Sequence, residues 1–212
     1  MPRTLLNIIS INFIMNTGDI ILFCGTKNII STFIRWYLRT PYTHVGIIIQ
    51  DPTYIDPSYV GTYVLESGLE SGSNFGVQLT KLDYLLTTYN GDIYHRKLTT
   101  IKPMIGMVDD FTNTYKSLVG RPYDLSIFDA LFLRMNPETA KAETSIMDWF
   151  HTNHRKSDKF VCSALVGYVY MCWGFFPNEI EWSEFEPASF SENNDKLALT
   201  QDCLLGPEIK LK

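Results

Sequence analysis

Apolar positions fall into two regimes along this chain. In the first half they come in short runs. Ile20-Ile21-Leu22-Phe23, entered through Gly18-Asp19, reads as a buried strand that Gly25 ends. Ile30, Phe33, Ile34, Tyr37 and Leu38 then recur at helical spacing, which predicts an amphipathic helix from Ile29 to Arg39, stopped by Pro41. His44 to Ile49 is rich in β-branched residues and predicts a strand. Asp51-Pro52 and Asp56-Pro57 punctuate a loop. Tyr63 to Ser67 predicts another strand before a Gly/Ser-rich turn, and Val77–Leu79 and Asp92–Arg96 two shorter ones.

The second half is helical in pattern. Val108, Phe111, Tyr115, Leu118 and Val119 form a stripe that Gly120 and Pro122 close. Asn136-Pro137-Glu138 has the chemistry of a helix start, and the polar stretch 136–159 reads as an insertion. From Cys162 to Phe175, Leu165, Val166, Val169 and Trp173 again fall at helical spacing. Residues 177–212 read as a mostly irregular tail. Strands first and helices later predict a segregated α+β fold in one domain.

The apolar leader, residues 1–15, is broken by Ser10 and Asn12 and falls short of the roughly 20 apolar residues that span a bilayer. It reads as a packing element at the core's edge; the alternative is a segment that touches a membrane surface or a partner. A net charge of -5 without a dense basic run argues against a nucleic-acid partner. The four cysteines, Cys24, Cys162, Cys172 and Cys203, make no C-x-x-C pair, so they read as free thiols in a reducing compartment, cytoplasm or virion.

Of the four, Cys162 has the setting of a nucleophile. It stands at the start of a helix, where the dipole favours a thiolate and the following amides can donate to an oxyanion. Lys159 is close in sequence. Cys24 ends a strand, Cys172 is inside a helix and Cys203 is in the tail. A lone cysteine in an apolar helix is more often a small core residue, so a base must be found. His44 opens a strand in Thr43-His44-Val45-Gly46; alternation puts His44 and Gly46 on one face, and the missing side chain of Gly46 is expected to leave room beside the imidazole for a nucleophile. His95, on a strand, is the rival; His151 and His154 lie in polar surroundings. Glu66, in an apolar strand, needs a partner or a solvated face. If its strand lies beside that of His44, it can fix the imidazole tautomer.

Several segments occur in a telling order: Gly18-Asp19-Ile20-Ile21-Leu22-Phe23, Ile34-Arg35-Trp36, Pro41-Tyr42-Thr43-His44-Val45-Gly46-Ile47, Leu65-Glu66-Ser67, Gly120-Arg121-Pro122-Tyr123-Asp124 and Phe160-Val161-Cys162-Ser163-Ala164-Leu165-Val166. Together they resemble the permuted papain-like families of the NlpC superfamily, especially the YiiX/YaeF-type amidases, with relatives in bacteria and large DNA viruses. The lecithin retinol acyltransferases are more distant cousins. The resemblance spans roughly residues 16 to 175. It implies a circularly permuted papain-like fold, a small antiparallel sheet or barrel packed against the helices that carry the nucleophile, with the histidine strand before the cysteine helix.

The resemblance further implies Cys162 as nucleophile, His44 as base and Glu66 as the third polar residue. Gly18 and Asp19 fall at structural positions, and Tyr123 and Asp124 match a recurrent pair near the cleft. Tyr123, Trp36 and Tyr42 are the expected substrate contacts. Many relatives carry a tyrosine just before the cysteine; Phe160 and Val161 stand there here. The expected activity is a cysteine peptidase or amidase acting on a peptide or cell-wall-type amide through a thioacyl-enzyme, with no metal or organic cofactor. The alternatives are a lipid acyl hydrolase or acyltransferase on the same triad, or an inactive structural module of a virion.

Overall fold

The structure is a computed structural model that describes residues 15–25, 35, 39–68, 76–102, 104–121, 161–177, 180, 185–194 and 197–212. Six strands form one sheet: β1 (Ile20–Gly25), β2 (His44–Gln50), β3 (Thr62–Gly68), β4 (Gly76–Lys81), β5 (Gly91–Thr100) and β6 (Cys203–Lys210). Every pairing is antiparallel, in the order β4-β3-β2-β1-β5-β6. Helix α1 (Leu82–Thr88) follows β4 directly, α2 (Met104–Leu118) follows β5, and α3 (Cys162–Cys172) precedes the last strand. Fold class is therefore mixed α and β, with a six-stranded antiparallel sheet.

Strand alternation divides the core in two. Ile20 and Leu22 of β1, Val45, Ile47 and Ile49 of β2 and Leu65 of β3 join Leu165, Val166 and Val169 of α3 in one cluster. The alternate residues Ile21, Phe23, Ile48, Val64 and Ile93 join Leu82 and Leu85 of α1 in another. Burial on both faces explains why β1 reads as a continuous apolar run rather than an alternating one. Helix α3 is apolar nearly all round and lies over β2 and β3. That placement brings its first residue to the strands that carry His44 and Glu66.

The sequence expectations for β1, β2, β3 and β5 agree with the observed strands to within a few residues, and the stripe at 111–118 lies in α2. One expectation is refined by the structure. The tail from 177 is not irregular throughout. It holds a 3₁₀ turn at Pro187–Phe190 and the eight-residue β6, which pairs with β5. Gly206-Pro207 reads as a strand breaker, but β6 is an edge strand, where a missing N–H costs no ladder bond. Arg96 of β5 locks this region in place. Its guanidinium is buried, and it donates to the carbonyls of Phe190, Leu205 and Gly206. The turn of helix α1 was also not anticipated.

The leader (residues 1–15) apart from Met15, the predicted helix from Ile29 to Arg39 apart from Arg39 and the helical Arg35, and the 136–159 stretch lie outside the described residues. Among the described helices, none is long and apolar enough to cross a membrane.

Candidate functional site

His44 is the first residue of β2, so its side chain leaves the sheet at a strand end. Thr43, just before it, is anchored on β1. Its N–H donates to the Phe23 carbonyl at 2.8 Å, and its Oγ1 accepts from Gly25 N at 3.0 Å. The imidazole lies against the Phe23 ring, 5.1 Å between centroids.

Across the β2–β3 pair, Ile47 faces Leu65. Extending that register sets Glu66 opposite Gly46 and Gly68 opposite His44, all on one face of the sheet. Glu66 therefore reaches His44 diagonally. His44 Nε2 and Glu66 Oε2 are 2.8 Å apart, while Thr80 of β4 donates to Glu66 Oε1 at 2.6 Å. Glu66 is 3% exposed, so this carboxylate is buried but partnered on both oxygens.

The role expected of Gly46 is corrected by the packing. A Cβ there would stand 2.4 Å from Val64 Cγ1 and 3.0 Å from the Leu65 carbonyl oxygen. The space belongs to β3, not to a nucleophile. Glycine at 46 lets the two strands close up, so that Glu66 comes within reach of His44.

Cys162 opens α3. Val161 caps the helix in an extended conformation, and its carbonyl accepts the first helical bond, from Leu165. The amides of the first turn are free of intrahelical partners by the geometry of any helix start. The sulfur belongs to the environment of His44. Burial by itself would lower the His44 pKa, but the charge of a Cys162 thiolate, a hydrogen bond to it and the bond to Glu66 outweigh burial and push the value up to about 10. With Glu66 on Nε2, Nδ1 is the ring nitrogen left for the sulfur. The arrangement is thus an imidazole set between a thiol and a carboxylate. His44 and Cys162 are 118 positions apart in the chain.

The other thiols have different settings. Cys24 is buried, and burial together with the Asp92 and Glu208 carboxylates pushes its thiol up to about 11, the reverse of what a nucleophile needs. Cys203 is buried between Thr100 and Thr200. His95, the rival base, is paired with Asp19 at 2.7 Å, and both are sealed from solvent. Asp19 also accepts from Leu98 N and Asn16 N, so it ties β1 to β5 and to the preceding turn. This is a structural role, as its position led us to expect.

Of the expected substrate contacts, Trp36 and Tyr123 lie outside the described residues, as do Asp124, Lys159 and Phe160. Tyr42 is 7% exposed, and its hydroxyl donates to Glu208 Oε2 of β6 at 2.5 Å. Its phenol is turned to the last strand and committed there, which corrects the expectation that it faces a substrate. Two residues beside Glu66 were not among the candidates read from the sequence. Thr80 holds Glu66, and Gln78 pairs directly across from it. Their only sequence signal is a shared parity on a short strand beside that of Glu66. Among the described residues, no group of three His, Cys, Asp or Glu side chains is arranged to hold a metal ion.

No family model matches the chain, and no curated protein is significantly similar to it. Among solved structures, it is similar to that of the metalloprotein YiiX from Escherichia coli O157:H7, with a TM-score of 0.47 and 19% sequence identity. The likeness covers 74% of this chain and 65% of that one, so the chain spans just under two thirds of that protein's length.

Proposed function

We propose that this protein is a cysteine hydrolase of the permuted papain-like, YiiX-type kind, which cleaves an amide through a thioacyl-enzyme. The observation that carries the reading is the sequence of contacts Cys162, His44, Glu66, with His44 Nε2 2.8 Å from a buried carboxylate and its ring beside the thiol at a helix start. The raised value of His44 supports a proton held on the imidazole at neutral pH, beside the sulfur that is to attack.

The thiolate attacks the carbonyl carbon. The Cys162 backbone N–H is at hand for the oxyanion, as the open first turn of a helix would have it. The imidazolium then gives its proton to the departing amine as the C–N bond breaks. Water, activated by the neutral imidazole, releases the acyl group and restores the thiol pair. Glu66 keeps the ring in one tautomer and orientation throughout.

Cys162 itself is only 4% exposed. That burial favours a second reading, an inactive relative that serves as a structural or interaction module. Site-resolved labelling of the full chain with an iodoacetamide probe separates the two. The hydrolase reading expects rapid modification of Cys162 at pH 7, absent in Cys162→Ala and slower at the other three cysteines. Modification of Cys162 no faster than that of Cys203 would overturn it.

A further inference from the structure

We propose that Gln78 is a positioning residue of the site, whose side-chain amide acts through Glu66 across the gap left by Gly68. Its catalytic meaning rests on the function proposed above; the juxtaposition of the two side chains does not. Cross-strand pairing sets Gln78 opposite Glu66. Its Nε2 is buried and has no hydrogen-bond partner among the described residues. Buried donors without partners are uncommon in folded chains and call for a physical reason.

The neighbourhood supplies one. A Cβ on Gly68 would stand 3.7 Å from Glu66 Oε2 and 3.8 Å from Gln78 Nε2. Where that methyl is missing, the space is bordered by the oxygen that holds His44 and by the orphaned donor. Glu66 Oε2 accepts from His44 and Oε1 from Thr80, which leaves part of the carboxylate's acceptor capacity of about four sites unused. Gln78 Nε2 and Glu66 Oε2 thus border one open space, which a bond from the amide to the carboxylate would close.

The chemical use follows from the state of His44. Once the sulfur carries the acyl group its charge no longer holds the His44 proton, and the bond to Glu66 is what still does. A second donor on Oε2 divides the carboxylate's charge, so His44 is held less tightly when the proton must pass to the leaving group. Gln78 thus eases one step while Thr80 keeps the carboxylate in line.

The test is an NMR titration of the His44 ring in the full chain labelled with ¹⁵N-histidine, comparing wild type, Gln78→Leu, Gly68→Ala, Glu66→Gln and the Gln78→Leu/Glu66→Gln double variant. Gln78→Leu leaves the carboxylate's charge undivided, so the His44 midpoint rises by about half a pH unit, or about threefold in the equilibrium. Gly68→Ala meets only ordinary van der Waals contacts, fills the gap and gives the same rise. In the Glu66→Gln background, Gln78→Leu shifts nothing more, because the effect passes through the carboxylate. An unchanged midpoint in both single variants, or an equal shift with and without Glu66, would overturn the inference. This outcome is separate from the labelling of Cys162, so failure of one reading is told apart from failure of the other.

Discussion

Two histidine–carboxylate pairs lie in this sheet, and only one is set beside a thiol. His44–Glu66 and His95–Asp19 have nearly the same length, 2.8 and 2.7 Å. The side chains of the second pair are 1% and 0% exposed, whereas that of His44 is 18% exposed. His95 lies in mid-strand, opposite Ile21, and its partner also accepts two backbone amides. His44 lies at a strand end, beside Phe23 and Cys162. A short bond between imidazole and carboxylate is therefore no mark of chemistry by itself. What separates the pairs is a third group beside the ring and the partial exposure of the ring to solvent.

The contrast is most directly broken at the histidines. His44→Asn should slow Cys162 labelling at pH 7 by about 10² to 10⁴-fold, the usual worth of a placed acid–base group. His95→Asn should leave the labelling of folded molecules at the wild-type rate. Equal losses from both would mean that the two pairs are not different in kind.

Stability should show the reverse ranking. Asp19→Ala strips acceptors from His95, Leu98 N and Asn16 N in a fully buried place, and it should cost about 3–5 kcal/mol in urea unfolding. Glu66→Gln should cost less, since Thr80 can still donate to the amide oxygen.

The pH dependence of stability sharpens the comparison further. A histidine whose folded value is raised from 6.5 to about 10 stabilises the fold fully below 6.5, and the contribution is lost as pH climbs through about 10. The thermal midpoint of the wild type should therefore decline across that window. In Glu66→Gln, which removes one of the groups that raise His44, the decline should be complete at lower pH. A decline that ignores the substitution would count against His44 as its source.

The smallest effect is expected at Gly46. Gly46→Ala drives a methyl into Val64 and the Leu65 carbonyl and should cost about 1–3 kcal/mol. Because it parts β2 from β3, it should also weaken the hold of Glu66 on His44, seen as a lower His44 midpoint by NMR. A destabilised variant with an unmoved midpoint would separate strand closure from the geometry of the pair.

Much of this was legible in the residues themselves. Apolar runs and β-branched composition marked β1, β2 and β3, helical spacing marked α2 and α3, and the position of Cys162 at a helix start singled it out among four thiols. Those are local signals, set by backbone periodicity and by the electrostatics of one helix end. Edge strand β6 contains Gly206-Pro207, which a strand admits at a sheet edge or a bulge, so its place depends on the order of strands. The true task of Gly46 was hidden, since whether a missing side chain leaves open space or admits a neighbour depends on what lies across the pair.

Which histidine lies beside Cys162 was left open by the residues themselves and implied only by the resemblance; the tertiary structure sets His44 there. The chain offers His44 and His95 on similar strands, each with a carboxylate in reach. The order of strands put Glu66, Gln78 and Thr80 side by side, and the packing of α3 over β2 and β3 carried the sulfur to His44 across 118 residues. Contacts so far apart in the chain come from the burial of whole faces, a property of the assembled sheet that no short window of sequence contains.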